Sequence, residues 1–422
     1  MWDLIVVGGG AAGLWGAGTA AALGQRVLVL EKNRKPGVKI LMSGGTRCNI
    51  THHCDIAGIM EAFGKQGRFL KPALYGLPPA AVVAEVNRLG VETKVEDSGK
   101  VFPVSDRAID VRDALLRRLH DAGGTLHSGV SVTDVRADKQ AESGQSTETQ
   151  WLVQTETEQL STRKVLLCSG GLSYSGCGTT GDGYAWAQRA GHTLVSTYPA
   201  LTPLLSPAVW VHELTGITLP DVAARVITGD KKLKDPRLTS RGGFLWTHFG
   251  CSGPVPMNLS RFVSSAPEPH RTQLQLDLVP DMSESQIIEQ FDALRGGRRT
   301  VAAALQPLVP RNMAACLLKR AHVIEAAPLA ELSRHSRLQL IEDLKRLSVP
   351  LSGTRGYPKA EVTAGGVSTL EVNPQTMESR LAPGLYLAGE ILDIDGPIGG
   401  FNFQAAFSTA HLAGTHLAQA SV

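Results

Sequence analysis

Asp3-Leu4-Ile5-Val6-Val7-Gly8-Gly9-Gly10-Ala11-Ala12-Gly13 is an apolar strand that runs straight into the pattern Gly8-x-Gly10-x-x-Gly13, and the Ala-rich stretch 14–23 continues it as a helix. Each glycine has its own task. Gly8 permits a tight turn at the strand end, Gly10 lets the backbone approach a pyrophosphate, and Gly13 lets the helix pack close to the sheet. Ala11 and Ala12 open that helix, whose free N–H groups and positive end would face the diphosphate. The next apolar strand, residues 26–30, ends at Glu31, 18 residues past Gly13, and Lys32 follows it. A carboxylate there accepts from ribose hydroxyls and repels a 2′-phosphate, so FAD or NAD is favoured over NADP.

The surrounding chain is consistent with a globular α/β protein. Its 422 residues predict two or three domains, and 43% hydrophobic with 19% charged residues leaves ample core. A net charge of +3 is too small to imply a nucleic-acid or membrane partner by itself. The basic runs Lys231, Lys232, Lys234, Arg237, Arg241 and Arg295, Arg298, Arg299 read as solvated faces. The phosphate-binding strand starts at residue 3, which leaves no room for a cleavable leader, and no apolar run reaches membrane-spanning length. A cytoplasmic location without membrane contact is therefore expected. The six cysteines (48, 54, 168, 177, 251, 316) form no CxxC pair, and His52 and His53 lack further ligands at metal-site spacing, so no metal is expected.

Beyond the first βαβ unit, helical patterning recurs at 79–89 and 108–122. Residues 129–137, 151–156 and 163–168 read as strands of a small meander, split by the polar, low-complexity loop 138–150. From about Pro199 shorter strands appear (222–229, 243–247, 272–278), followed by helices between Ser283 and Leu347. The chain then returns through 360–366 to a strand at 384–388, a glycine-rich turn and a helix over 403–417.

Three further segments carry chemistry. Residues 39–51 place small residues and the hydrogen-bonding groups of Lys39, Ser43, Arg47 and Asn49, with Gly44 and Cys48, where a flavin's ring and ribityl chain would run. Ser169-Gly170-Gly171 with Thr180 to Tyr184 forms the second, and includes Asp182. The third, Gly389-Glu390-Ile391-Leu392-Asp393 through Gly399-Gly400-Phe401-Asn402, has the order strand, glycine, acid, two glycines, helix. That order resembles the place in flavoenzymes where a carboxylate holds the ribityl chain and a helix N-terminus faces the pyrimidine edge of the ring.

With these segments in hand, the chain resembles, from end to end, the HI0933-like family of FAD-dependent oxidoreductases. The resemblance rests on the Gly8 fingerprint, Lys39 to Thr51, Ser169 to Tyr184, Trp246 to Pro254, Val362 to Val367 and Met377 to Asn402. Departures from the family pattern are Thr46 for a glycine, His52 for an asparagine, and Ile398, Phe401, Phe403 and Ala405 for Thr, Tyr, Leu and Trp. The resemblance implies a flavin fold with Lys39, Arg47, Asn49, Asp182, Glu390, Asp393 and Asn402 at or near the cofactor. Val132, at the start of the meander, joins that candidate shell.

Cys48 and Cys54 are C-x5-C, whereas flavin disulfide reductases use C-x4-C and a second dinucleotide fingerprint that residues 150–300 lack, so a redox disulfide is not expected. His248, in Thr247-His248-Phe249-Gly250, is the candidate general acid or base. Asp395 lies two residues from Asp393, and on an extended segment the two share a face.

The expected fold is α/β, with a Rossmann-type, glutathione-reductase-like FAD-binding domain split between 1–194 and 351–422. The insert is a β-rich domain over 195–282 and a helical subdomain over 283–350. The expected function is two-electron transfer between non-covalently bound FAD and a small organic substrate, by amine oxidation or by reduction of an activated double bond. NAD(P)H would bind only transiently as donor. The alternative is a flavin-containing RNA-associated or RNA-modifying protein whose basic insert meets RNA, with a salt-dependent affinity.

Overall fold

The computed structural model describes residues 1–138, 150–228, 235–295 and 299–419. The polar loop at 139–149 and Lys231, Lys232, Lys234 and Arg298 of the basic runs lie outside them. Two units result, Met1–Tyr198 with Glu361–Val422, and Pro199–Ala360. The boundaries expected at 194 and 351 thus fall at 198 and 361.

In the first unit, β1 (Trp2–Val7) lies between β2 (Val27–Glu31) and Gln159–Leu167, all parallel, with Thr125–Ser128 beyond β2. Leu385–Leu387 adds a parallel strand to the end of Gln159–Leu167, while Trp151–Thr155 and Val132–Ala137 extend its beginning as the expected antiparallel meander. Side chains alternate across this sheet. Leu4, Val6, Val27 and Val29 join one core with helix α1 (Ala11–Ala22), Ala108–Asp121 and the C-terminal helix Phe401–Gln419. Ile5, Val7, Leu28 and Leu30 join the opposite core with Ile59, Phe63, Leu70 and Trp186. Burial on both faces is what a parallel sheet requires, and it explains the nearly unbroken apolar runs in the sequence.

The second unit is a seven-stranded antiparallel sheet. Its order is Leu347–Pro350, Gln273–Asp277, Thr218–Ile227, Thr239–Thr247, Gly250–Ser252, Leu204–Leu205, Gly353–Thr354. The helices Glu284–Leu294, Arg311–Arg320 and Arg334–Arg346 share one core with those strands. Residues 283–350 are therefore part of the insert's single core; their last strand, Leu347–Pro350, closes the sheet edge against Gln273–Asp277.

Candidate functional site

At the end of β1 the chain turns with Gly8 at φ +105°, and a Cβ there would stand 2.4 Å from the carbonyl oxygen of Cys168. A Cβ on Gly13 would stand 1.8 Å from the carbonyl oxygen of Gly8, so only glycine allows α1 to begin this close to the sheet. Gly10 differs: a Cβ there meets nothing within 4 Å. Helix α1 has no side-chain cap at Gly10, and the Leu14 N–H donates to the Gly10 carbonyl at 2.9 Å. The N–H groups of Ala11, Ala12 and Gly13 thus precede the hydrogen-bonded turns and open toward a free volume.

Glu31 is buried, at 7% exposure. Its Oε2 accepts from the Gly9 N–H at 2.7 Å and its Oε1 from the Asn33 N–H at 2.8 Å. The two backbone donors fix the carboxylate beside the glycine turn, and each oxygen retains a lone pair for a ribose hydroxyl. Glu31→Ala should weaken FAD binding by roughly 1.5–3 kcal/mol, about ten- to a hundredfold. Titrating apoprotein with FAD by fluorescence measures it, and an unchanged affinity would remove Glu31 from the ribose. Near it, Lys32 pairs with Asp182 at 2.8 Å, so these two candidates hold each other. Val132 is half-buried at the start of its strand.

Helix α2 (Val38–Thr46) is tied to the fingerprint by the Gly37 N–H, which donates to the Gly9 carbonyl at 2.9 Å. From it Lys39 Nζ reaches Glu390 Oε2 at 2.6 Å and Ser173 Oγ at 2.8 Å. Glu390 Oε1 accepts from Ser173 Oγ at 2.5 Å and from the Thr363 N–H at 2.9 Å. Residues from four distant segments thus meet at one carboxylate. Ser173 and Thr363 were not singled out in the sequence, since neither sits in a spacing that marks it.

The C-terminal motif folds back on the same region. Gly400, at φ +91°, leaves no space for a Cβ, which would lie 2.4 Å from the carbonyl carbon of Thr51. With its amide oxygen toward Gly400, Asn49 accepts from the Gly400 N–H at 3.0 Å and donates to the Thr51 carbonyl at 3.0 Å. Phe401 stacks on His52 at 4.5 Å between centroids, and His52 Nδ1 lies 3.1 Å from the Gly399 carbonyl oxygen. Burial holds the His52 pKa below its ordinary value. Asp393 Oδ1 accepts from Gln66 Nε2 at 2.9 Å, and the Gly389 N–H donates to Thr409 Oγ1 at 3.1 Å. Asn402 bonds both the N–H and the carbonyl of Gly396, so its side chain closes the turn rather than extending outward.

Other candidates are placed differently from one another. Arg47 donates to Glu96 at 2.7 Å and lies over the Phe102 ring at 4.0 Å. Ser43 Oγ donates to the Ile40 carbonyl at 2.8 Å, and a Cβ on Gly44 would run into Phe102 and Asn49. Cys48 is a free, fully buried thiol pushed up to about 12 by burial, which denies it thiolate character near neutral pH; Cys54 is free as well. Ser169 Oγ is buried without a hydrogen-bond partner, and Gly170 (φ +74°) and Gly171 shape the loop beside it. His248 belongs to the second unit, exposed on the turn between Thr239–Thr247 and Gly250–Ser252, with its ring 4.9 Å from that of Phe249.

The uncapped amino end of α1, the free volume at Gly10, the buried acceptor Glu31 and the orphaned hydroxyl of Ser169 together fit a dinucleotide. The model of the HI0933-like protein Rossmann domain matches residues 2–416. The chain belongs to the HI0933-like family. Like its family, it is a flavin-dependent oxidoreductase that uses FAD on a Rossmann-type fold. Among its relatives, the 3-dehydro-bile acid delta(4,6)-reductase of Clostridium scindens is 29% identical, over 98% of this chain and 98% of its own. The ribosomal RNA dihydrouridine synthase of Escherichia coli is 30% identical, over 97% of this chain and 96% of its own. The fold is also similar to that of 3-ketosteroid delta1-dehydrogenase from Sterolibacterium denitrificans, at a TM-score of 0.52 and 14% identity, covering 99% of each chain. Among the described residues, no helix is long and apolar enough to cross a membrane.

Proposed function

We propose that this protein reduces a carbon–carbon double bond conjugated with a carbonyl group, using non-covalently bound FAD and NAD(P)H as a transient donor. One observation carries the reading. Two relatives that align along nearly the whole chain are named for different substrates but the same bond change. A 3-keto steroid with delta(4,6) unsaturation and the uracil ring of uridine both present a double bond in conjugation with a carbonyl.

FAD supplies the hydride chemistry when bound. The chain's residues do the rest: the Gly8 to Gly13 turn and the amino end of α1 hold the diphosphate, and Glu31 holds the adenosine ribose. Glu390, positioned by Lys39, Ser173 and the Thr363 N–H, would accept from the ribityl chain, as would Asp393. Gly399 and Gly400 lead into the C-terminal helix, whose amino end would favour negative charge on the bound ring.

Anaerobic mixing of the FAD-loaded protein with NADPH or NADH tests this. The flavin absorbance should bleach and return on adding a 4-en-3-one steroid, but not an isolated alkene. Bleaching by an amine, with colour restored only by oxygen, would establish the oxidase reading instead. A second reading, with the double bond carried on RNA, is favoured by charge distribution. Residues 199–360 hold 20 Lys and Arg against 14 Asp and Glu, a formal +6, while the rest holds 22 against 25, a formal −3. Binding of an rRNA fragment that weakens steeply with salt would support it.

A further inference from the structure

The segment after α2 contains three consecutive left-handed residues: Gly44 at φ +55°, Gly45 at φ +68° and Thr46 at φ +69°. Gly44 has a steric reason to be glycine, because a Cβ there would come within 2.9 Å of the Phe102 ring and 3.0 Å of the Asn49 nitrogen. Thr46 has none. A β-branched residue in this region is an outlier, since its Cβ crowds the following carbonyl.

Among the described residues, the Thr46 side chain makes no long-range hydrogen bond that repays that conformation. Thr46 is exposed, and the hydrogen bond its hydroxyl makes is to the carbonyl of its own neighbour Gly45, at 2.6 Å. The strain is instead imposed by what surrounds it. The Cys48 N–H donates to the Ser43 carbonyl at 3.1 Å, Cys48 is wholly buried, Arg47 is anchored to Glu96 and Phe102, and Asn49 is bonded to Gly400. Both ends of the turn are pinned, so residue 46 adopts this geometry whatever its side chain.

The position of the turn gives the strain a use. The segment begins against the diphosphate turn, where the Gly37 N–H meets the Gly9 carbonyl, and ends against the C-terminal motif, where Asn49 meets Gly400. A dinucleotide laid from the amino end of α1 toward that motif runs alongside it, and Thr46 sits at the far end. We propose that Thr46 is a specificity-determining residue, whose side chain stands beside the flavin ring and narrows the space open to the substrate. Strained residues that persist without a stabilising contact cluster at such sites. The inference rests on the flavin assignment above, and not on which double bond is reduced.

The test uses the FAD-loaded full chain and two electron-rich aromatics, phenol and 2-naphthol, which perturb the visible spectrum of an oxidised flavin by stacking on it. Thr46→Gly, which keeps the backbone and removes the side chain, should melt no lower than the native protein and tighten 2-naphthol relative to phenol at least fivefold. Thr46→Val, equal in bulk but without the hydroxyl, should keep the native ratio. An unchanged ratio in Thr46→Gly, or a flavin spectrum that responds to neither aromatic, would overturn the proposal. If the ratio shifts while a 4-en-3-one steroid is not reduced, the role of Thr46 stands and the double-bond reading falls.

Discussion

Gly13→Ala should yield a protein with less than a tenth of the native FAD content and a disrupted fold. The new methyl would have to occupy a point 1.8 Å from the carbonyl oxygen of Gly8. Relief means lifting α1 off the sheet, and since α1 carries ten buried residues the cost should be at the upper end of the ~1–3 kcal/mol typical of overpacking, or beyond it. Gly10→Ala is the informative partner. Gly10 has φ −83°, which alanine accepts, and its Cβ would touch no protein atom within 4 Å. That variant should fold normally by circular dichroism and thermal melting, yet lose FAD affinity by tenfold or more, because the methyl stands where the diphosphate approaches. If Gly10→Ala binds FAD as the native protein does, the cofactor does not lie on this turn.

Glu390→Ala should be the most damaging change at the C-terminal motif. It leaves Lys39 without its counter-charge and strips the acceptor from Ser173 and from the Thr363 N–H. The pair is not wholly buried, with side chains 28% and 19% exposed, so a loss of about 2–3 kcal/mol is expected rather than the ~3–5 kcal/mol of a sealed ion pair. Urea unfolding midpoints measure it. Glu390→Gln keeps an acceptor for the Thr363 N–H and should recover part of the loss, and adding Lys39→Met to Glu390→Ala should recover part as well, because the unpaired ammonium is gone. Equal midpoints for all variants would mean that the cluster contributes nothing to the fold.

The parts of this site that could be read from the sequence are those that depend on local stereochemistry. Gly8, Gly10, Gly13 and Glu31 announce themselves because strand, turn, helix and acid follow within 31 residues, and each residue type answers a steric or electrostatic need on the spot. The meander and the terminal helix were legible for the same reason, through their periodicity. What could not be read is which charges cancel each other. Arg47, Lys32 and Asp182 looked available for a cofactor, but Arg47 engages Glu96 and Lys32 engages Asp182, the latter 150 residues away. The junction of Lys39 with Glu390 spans 351 residues, and no spacing rule reaches so far. Likewise the helices after Ser283 gave no sign that they share a core with the strands before them, since that follows from Leu347–Pro350 returning to the sheet. The left-handed Thr46 was visible only as an unusual residue type, not as a strained one.

On the flank away from β1, the strand Gln159–Leu167 serves two partners, meeting Trp151–Thr155 with its first residues and Leu385–Leu387 with its last. Helix α1 crosses the C-terminal helix so closely that a Cβ on Gly414 would lie 2.6 Å from the Gly16 carbonyl oxygen. On the ribosome these partners are made far apart in time. At roughly 5–20 residues per second, β1 and α1 leave the exit tunnel on the order of tens of seconds before the strand and helix that complete them. Until those late segments emerge the earliest apolar elements stand with one flank open, whereas the strands and helices of Pro199–Ala360 share a core whose whole sequence is in hand once residue 360 is made. The half-made chain therefore exposes apolar surface at its oldest end until its last helix has been translated.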